Sequence, residues 1–162
     1  QPVIAEVDGV ATAAGCQLVA SCDLAIASHE SKFATPGVNL GLFCSTPMVA
    51  LSRNVNKKNA MEMLLTGDFI SSEKAKDIGL INNVVSKEEL SSEVAKLAEK
   101  IASKSTMTVA TGKKAFYAQA EMGLSAAYQY TSKTMTDNLL KHDAKEGINA
   151  FIEKRSPDWK DE

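Results

Sequence analysis

Apolar and polar positions change period along the chain. Residues 1–7 hold a strand-like run, Val3, Ile4, Ala5 and Val7, which ends at Asp8-Gly9. Residues 12–22 read as a short apolar helix. Residues 23–28 and 32–35 read as two further strands joined at His29-Glu30, the second broken by Pro36-Gly37. Thr46-Pro47 predicts a helix start, with Thr46 as cap. Asn56 predicts the cap of a helix running through Leu65, with Gly67 after it, and residues 71–78 predict a short helix stopped by Gly79. Residues 80–85 predict a strand. Ser86 and Glu89 have capping-box spacing, and Leu90, Val94, Leu97, Ala98 and Ile101 then share one helical stripe. Two or three more helices run to Arg155, with breaks at Ser105, Gly123 and near Asp143. Strands thus cluster early and helices late, a mixed α/β core followed by a helical tail.

Composition narrows this picture. A chain of 162 residues with 44% apolar content fits one domain or the larger part of one. Eighteen Lys and Arg against 20 Asp and Glu give a net charge of -2, so nucleic acid is not the expected partner. No apolar run reaches the roughly 18 residues of a membrane helix, so no membrane insertion is expected. The sequence opens at Gln1 directly in a strand-like run, with no targeting segment, and is expected to be N-terminally truncated. Cys16, Cys22 and Cys44 lack metal-ligand spacing and read as small buried thiols; no metal is expected.

The candidate chemistry lies in VDGVATAAGCQLVASCD, residues 7–23. A strand, a turn and a run of small residues lead into a helix. The first turn of a helix has N–H groups without intrahelical partners and carries partial positive charge. With alanines in place of bulky side chains, a substrate carbonyl oxygen could rest on those donors as in an oxyanion hole. The same residues also suit a tightly packed strand-to-helix turn with no ligand.

The blocks QPVIAEVDGVATAAGCQLVASCDLAIASHESKFATPGVNLGLF and AMEMLLTGDFISSEKAKDIGLINNVV, with the ending EGINAFIEKRSPDW, strongly resemble the enoyl-CoA hydratase/isomerase (crotonase) superfamily, and a mitochondrial member in particular. The resemblance implies an α/β fold, a crotonase-type spiral of ββα units. Residues 1–104 would be the C-terminal portion of that core, and residues 105–162 a helical region that builds a trimer or a dimer of trimers. It implies an acyl-CoA thioester as ligand, with coenzyme A entering only as part of it and no separate cofactor. It also implies a mitochondrial matrix location and a part in fatty-acid metabolism. The thioester oxygen would rest on the Ala14 N–H and on a second donor upstream of Gln1. Ala13, Gly15, Gln17, Gly37 and Leu42 would line the acyl pocket. Phe151 and Lys154, with Arg155 as a helper, would meet adenine and phosphate; Phe151 as core and Lys154-Arg155 as a favourable helix end is the competing reading.

Family hydratases place glutamates at two positions that here hold Gln17 and Gly37. An amide has no pKa near 7 and glycine has no side chain, so no catalytic residue is assigned and hydratase activity is expected to be weak or absent. Three readings remain open. They are a residual hydratase or isomerase using an ordered water, base-free acyl-CoA chemistry such as decarboxylation, and a non-catalytic acyl-CoA-binding or assembly protein. Asp23, Glu30, Glu62, His29, His142, Ser45 and Thr46 read as structural or solvated rather than as substitutes. Asp23 is expected to tie down a turn.

Overall fold

The computed structural model describes residues 1–162, which divide into two compact units. The first unit is Pro2–Ala98; the second is Gln1 with residues 99–162.

In the first unit, β1 (Ile4–Val7) and β2 (Val10–Thr12) lead into α1 (Ala14–Ser21). β3 (Leu24–Ser28) and β4 (Lys32–Ala34) follow, then a 3₁₀ turn (Pro36–Leu40), α2 (Ser45–Asn54) and α3 (Lys57–Thr66). β5 (Ile70–Ser71), α4 (Ser72–Asp77) and β6 (Asn83–Val85) lead into α5 (Lys87–Ala102). The strands form two three-stranded sheets, ordered β1-β3-β6 and β2-β4-β5. From β1 to β4 the strands alternate between the sheets, and the consecutive strands β4 and β5 then pair within the second. β1 pairs parallel with β3 (Ile4 opposite Leu24) and β3 with β6 (Ile26 opposite Asn83). β2 pairs parallel with β4, and only β4–β5 is antiparallel. Parallel strands need crossover connections, and the helices supply the apolar cover. Phe33, Leu51, Met63 and Leu64 are almost completely buried in that core with Cys16, Ala27 and Ala75.

Buried polar groups hold the strand ends. The Ser28 hydroxyl donates to Asp8 Oδ1 at 3.1 Å, and Ser31 donates to the Val7 carbonyl at 2.9 Å. Asp8 is also paired with Lys87 at 2.7 Å, which with the Ser28 bond lowers its pKa.

In the second unit, α6 (Thr106–Ala120), α7 (Leu124–Leu139) and α8 (His142–Glu153) follow the end of α5. The C-terminal segment is fastened to these helices. Trp159 Nε1 donates to the Ser103 carbonyl at 2.9 Å, and Asp143 accepts the N–H groups of Lys160 and Asp161 at 2.8 and 3.0 Å.

The mixed α/β architecture with late helices agrees with the sequence pattern. Asn56 caps α3, accepting the Asn59 N–H at 3.1 Å, and Gly67 ends it in the left-handed region. The helix expected to start at Thr46 instead begins at Ser45, with Cys44 as its cap residue and no capping side chain. The strand expected over residues 80–85 shrinks to Asn83–Val85. Ser86 meets Glu89 through its hydroxyl, which donates to the carboxylate at 2.9 Å. β2 and the two-residue β5 carry no strand signal that the alternation reveals; β2 lies in the run expected to be loop and helix.

Candidate functional site

The start of α1 is shaped by one residue. Ala13 has φ 48° and ψ −113°, a backbone region that L residues avoid. Both of its peptide groups are held. Its N–H donates to the Ala34 carbonyl at 3.0 Å, and its own carbonyl accepts the Gln17 N–H at 3.0 Å. The sharp turn from β2 into α1 leaves Ala14 exposed as the first helical residue. The Ala14 N–H has no acceptor within the protein, as the geometry of a first helical turn dictates. Gly15 and Gln17 are half-buried beside it along the chain.

Gly37 lies in the 3₁₀ turn that follows β4, three residues beyond the Ala34 carbonyl that anchors Ala13. The segment 42–44 folds back over it. Leu42 donates its N–H to the Gly37 carbonyl at 2.9 Å, and the Gly37 N–H donates to Cys44 Sγ at 3.3 Å. The Leu42 side chain itself is exposed. Cys16, in α1, is buried, and burial pushes its thiol up to about 11, with neighbouring Cys44 adding to the shift. Ala13, Ala14, Gly15, Gln17, Gly37 and Leu42 all lie in the first unit.

The side chains weighed as substitute acids or bases have other occupations. Asp23 Oδ2 accepts the Val3 N–H at 2.7 Å, the turn-tying role expected of it. His29 pairs with Glu73 at 3.2 Å on the surface, and His142 lies 3.4 Å from Asp143. The Ser45 hydroxyl donates to the Phe43 carbonyl at 3.3 Å. Glu30, Thr46 and Glu62 are exposed.

Phe151 and Lys154 belong to the second unit. Phe151 is 85% exposed, which removes the reading of it as core in this chain. It lines an open apolar groove of about 610 Å³ with Val109, Met135, Leu139, Ile148 and Trp159. Lys154 is the left-handed cap of α8, with φ 56°, and is exposed. Arg155 does not fit the helper role. Its guanidinium grips Glu146 with two bonds, at 2.5 and 2.9 Å, and Glu153 at 2.6 Å. Glu146 is held at a pKa of about 2, mainly by that guanidinium.

A family profile described as Enoyl-CoA hydratase/isomerase matches residues 1–162. The chain belongs to the enoyl-CoA hydratase/isomerase family. Among its relatives is the rat protein named enoyl-CoA hydratase domain-containing protein 3, mitochondrial, 58% identical over 158 residues, which are 98% of this chain and 53% of that protein. The human protein of the same name is 56% identical over 161 residues, 99% of this chain and 53% of that one. A crystal structure of an enoyl-CoA hydratase from Mycobacterium smegmatis superposes with TM-score 0.95 at 52% identity, covering 98% of this chain and 62% of that one. The crystal structure of human enoyl Coenzyme A hydratase domain-containing protein 3 gives 0.94 at 57% identity, with the same coverage. The chain spans about half the length of the curated relatives it matches. Within the enoyl-CoA hydratase/isomerase fold, its alternating sheets and late helices find their counterpart.

Two features of this family member were invisible in the sequence. Cys44 reads there as an inert buried thiol, and no motif marks it as the acceptor for Gly37. Thr35 is fully buried next to Pro36-Gly37, and its hydroxyl has no hydrogen-bond partner.

Proposed function

We propose that the protein containing this chain handles acyl-CoA thioesters in mitochondria, with weak or no hydratase activity. The carrying observation is the Ala14 N–H, left without an acceptor at the mouth of α1 by the turn at Ala13. It is flanked by positions that offer no acid or base, Gln17 and Gly37. In this reading the Ala14 N–H receives the thioester oxygen, and the small side chains of Ala13 and Gly15 let the acyl group approach the backbone. One oxyanion-hole donor set on developing negative charge is worth about 2.7–4 kcal/mol in a transition state. Gln17 can orient a water by hydrogen bonds but cannot take its proton. Each absent acid or base removes a factor of about 10²–10⁴. Binding therefore survives where hydration does not. The exposed Phe151 and Lys154 meet the adenine and phosphates of coenzyme A. No helix is long and apolar enough to cross a membrane.

The apolar residues that α6, α7 and α8 expose, among them Phe116, Leu124, Tyr128, Met135 and Ile148, support self-association as a trimer or dimer of trimers. The mitochondrial location rests on the names of the relatives.

The test is calorimetric titration of the whole protein with butyryl-CoA and crotonyl-CoA, alongside a crotonyl-CoA hydration assay. Saturable binding with negligible turnover supports the reading. Absence of binding removes it, and rapid hydration overturns the argument from Gln17 and Gly37.

A further inference from the structure

We propose that Cys44 is a positioning residue for the acyl site. Its thiol holds the Gly37 peptide and fills the space that a side chain at position 37 would need. The inference rests on the acyl-CoA reading above.

Two bonds clamp the segment 42–44 onto Gly37. The Leu42 N–H donates to the Gly37 carbonyl, and the Gly37 N–H donates to Cys44 Sγ. A Cβ built on Gly37 would lie 2.7 Å from the Leu42 carbonyl oxygen, 2.9 Å from Cys44 Sγ and 3.3 Å from Cys44 N. Two of these neighbours are backbone, and contacts under about 3 Å force something to move. Glycine at 37 is thus a close-approach position and not a vacancy. Losing a side chain there has opened no room for a larger acyl group, because the chain's own segment 42–44 occupies it.

Cys44 is also close enough to α1 to act on it. It is buried at the start of α2 and influences the thiol of Cys16 in α1, the helix that presents Ala14 and Gln17. The same sulfur thus bonds the Gly37 peptide and acts on the buried thiol of α1. Cysteine suits the place: it is compact, tolerates burial and accepts a weak hydrogen bond. Serine has the same shape and a stronger acceptor. Glycine offers neither volume nor acceptor.

The test uses the whole protein with four variants: Cys44→Ser, Cys44→Gly, Gly37→Ala, and Gly37→Ala combined with Cys44→Gly. Dissociation constants are measured for butyryl-CoA and for free coenzyme A. Cys44→Ser is expected to bind butyryl-CoA within twofold of wild type. Gly37→Ala is expected to weaken butyryl-CoA at least tenfold and leave coenzyme A unchanged, a split that general destabilisation does not produce. Adding Cys44→Gly to Gly37→Ala is expected to recover at least threefold. Equal butyryl-CoA affinity in Gly37→Ala and wild type, or losses that simply multiply in the double variant, would overturn the proposal. If wild type binds no acyl-CoA, the acyl-CoA reading fails by itself. Melting temperatures of the same set then decide the role of Cys44. A smaller loss in the double variant than the sum of the single losses supports the clamp, and additive losses remove it.

Discussion

The Ala13 N–H and the Ala34 carbonyl, 3.0 Å apart, fix the point where β2 turns into α1. The bond forces Ala13 into a backbone region that costs about 1–3 kcal/mol for a residue with a Cβ. Replacing Ala13 with glycine removes that strain and returns about 0.4–1 kcal/mol of unfolded-chain entropy. Ala13→Gly is therefore expected to stabilise the protein by about 1 kcal/mol, measured by denaturant unfolding. A loss of stability would show that the strain at Ala13 is smaller than its φ and ψ imply.

Gln17 is half-buried, and no hydrogen bond fixes its side-chain amide. Gln17→Glu should fold with stability within about 0.5 kcal/mol of wild type, as for a tolerated polar exchange. It supplies one of two acid/base groups, so crotonyl-CoA hydration should rise by less than the 10²–10⁴ of a full catalytic group. Sequence alone suggests that adding Gly37→Glu would complete the pair. The crowding at Gly37 reverses that expectation: Gln17→Glu with Gly37→Glu should be less stable and no more active than Gln17→Glu alone. A hydration assay with parallel thermal melts checks both points.

Lys154 and Arg155 are adjacent, but only Arg155 is engaged in ion pairs, with Glu146 and Glu153. Arg155→Ala breaks the bonds to Glu146 and Glu153 and should lower the melting temperature with little change in acyl-CoA affinity. Lys154→Ala should do the reverse, weakening acyl-CoA binding roughly tenfold, the scale of a lost charged hydrogen bond. Titrations at two salt concentrations distinguish them: under the proposed coenzyme A reading, the Lys154 contribution is a phosphate contact and weakens with added salt.

Acid should release the C-terminal segment. The Ser105 hydroxyl, followed by the backbone N–H groups of Lys160 and Asp161 and by His142, holds Asp143 at a pKa of about 2, against an ordinary value of 3.8. A depressed folded-state pKa contributes stability that is complete above the unfolded value and lost as pH falls through the folded one. Glu146 has the same sign. The loss should therefore run from about pH 4 down to about pH 2. Trp159, the sole tryptophan, packs against Gly147 and reports on it: its fluorescence should change in that window. In Asp143→Asn the change should shrink, because the group that titrates is gone.

Much of the fold was legible because local signals agree with it. Asn56 and Gly67 bound α3 where capping chemistry puts them, and the apolar stripe of α5 is followed by breaks at Ser105 and Gly123 that separate real helices. β2 was not legible because its strand character comes from pairing with β4, a relationship between Val10–Thr12 and Lys32–Ala34 that neither segment announces. The same distinction runs through the site. Small residues before α1 advertise a close approach to the backbone, whereas the strain at Ala13 and the clamp on Gly37 depend on partners about 20 and 7 positions away.

The register of β3 against β6 bears on how the chain reaches its native state. Ile26 opposes Asn83, and the Asn82 side chain accepts the Ala25 N–H at 2.8 Å, so this edge of the sheet closes only after residues 29–81 have been looped out. Parallel pairings of such long range are slow to form, since the closure entropy is lost before the pairing is gained. Until β6 docks, β3 presents one open hydrogen-bonding edge beside the apolar run of Ala25, Ile26 and Ala27. That interval is when refolding mixtures should be most prone to strand-to-strand association, and dilution during refolding is the direct remedy.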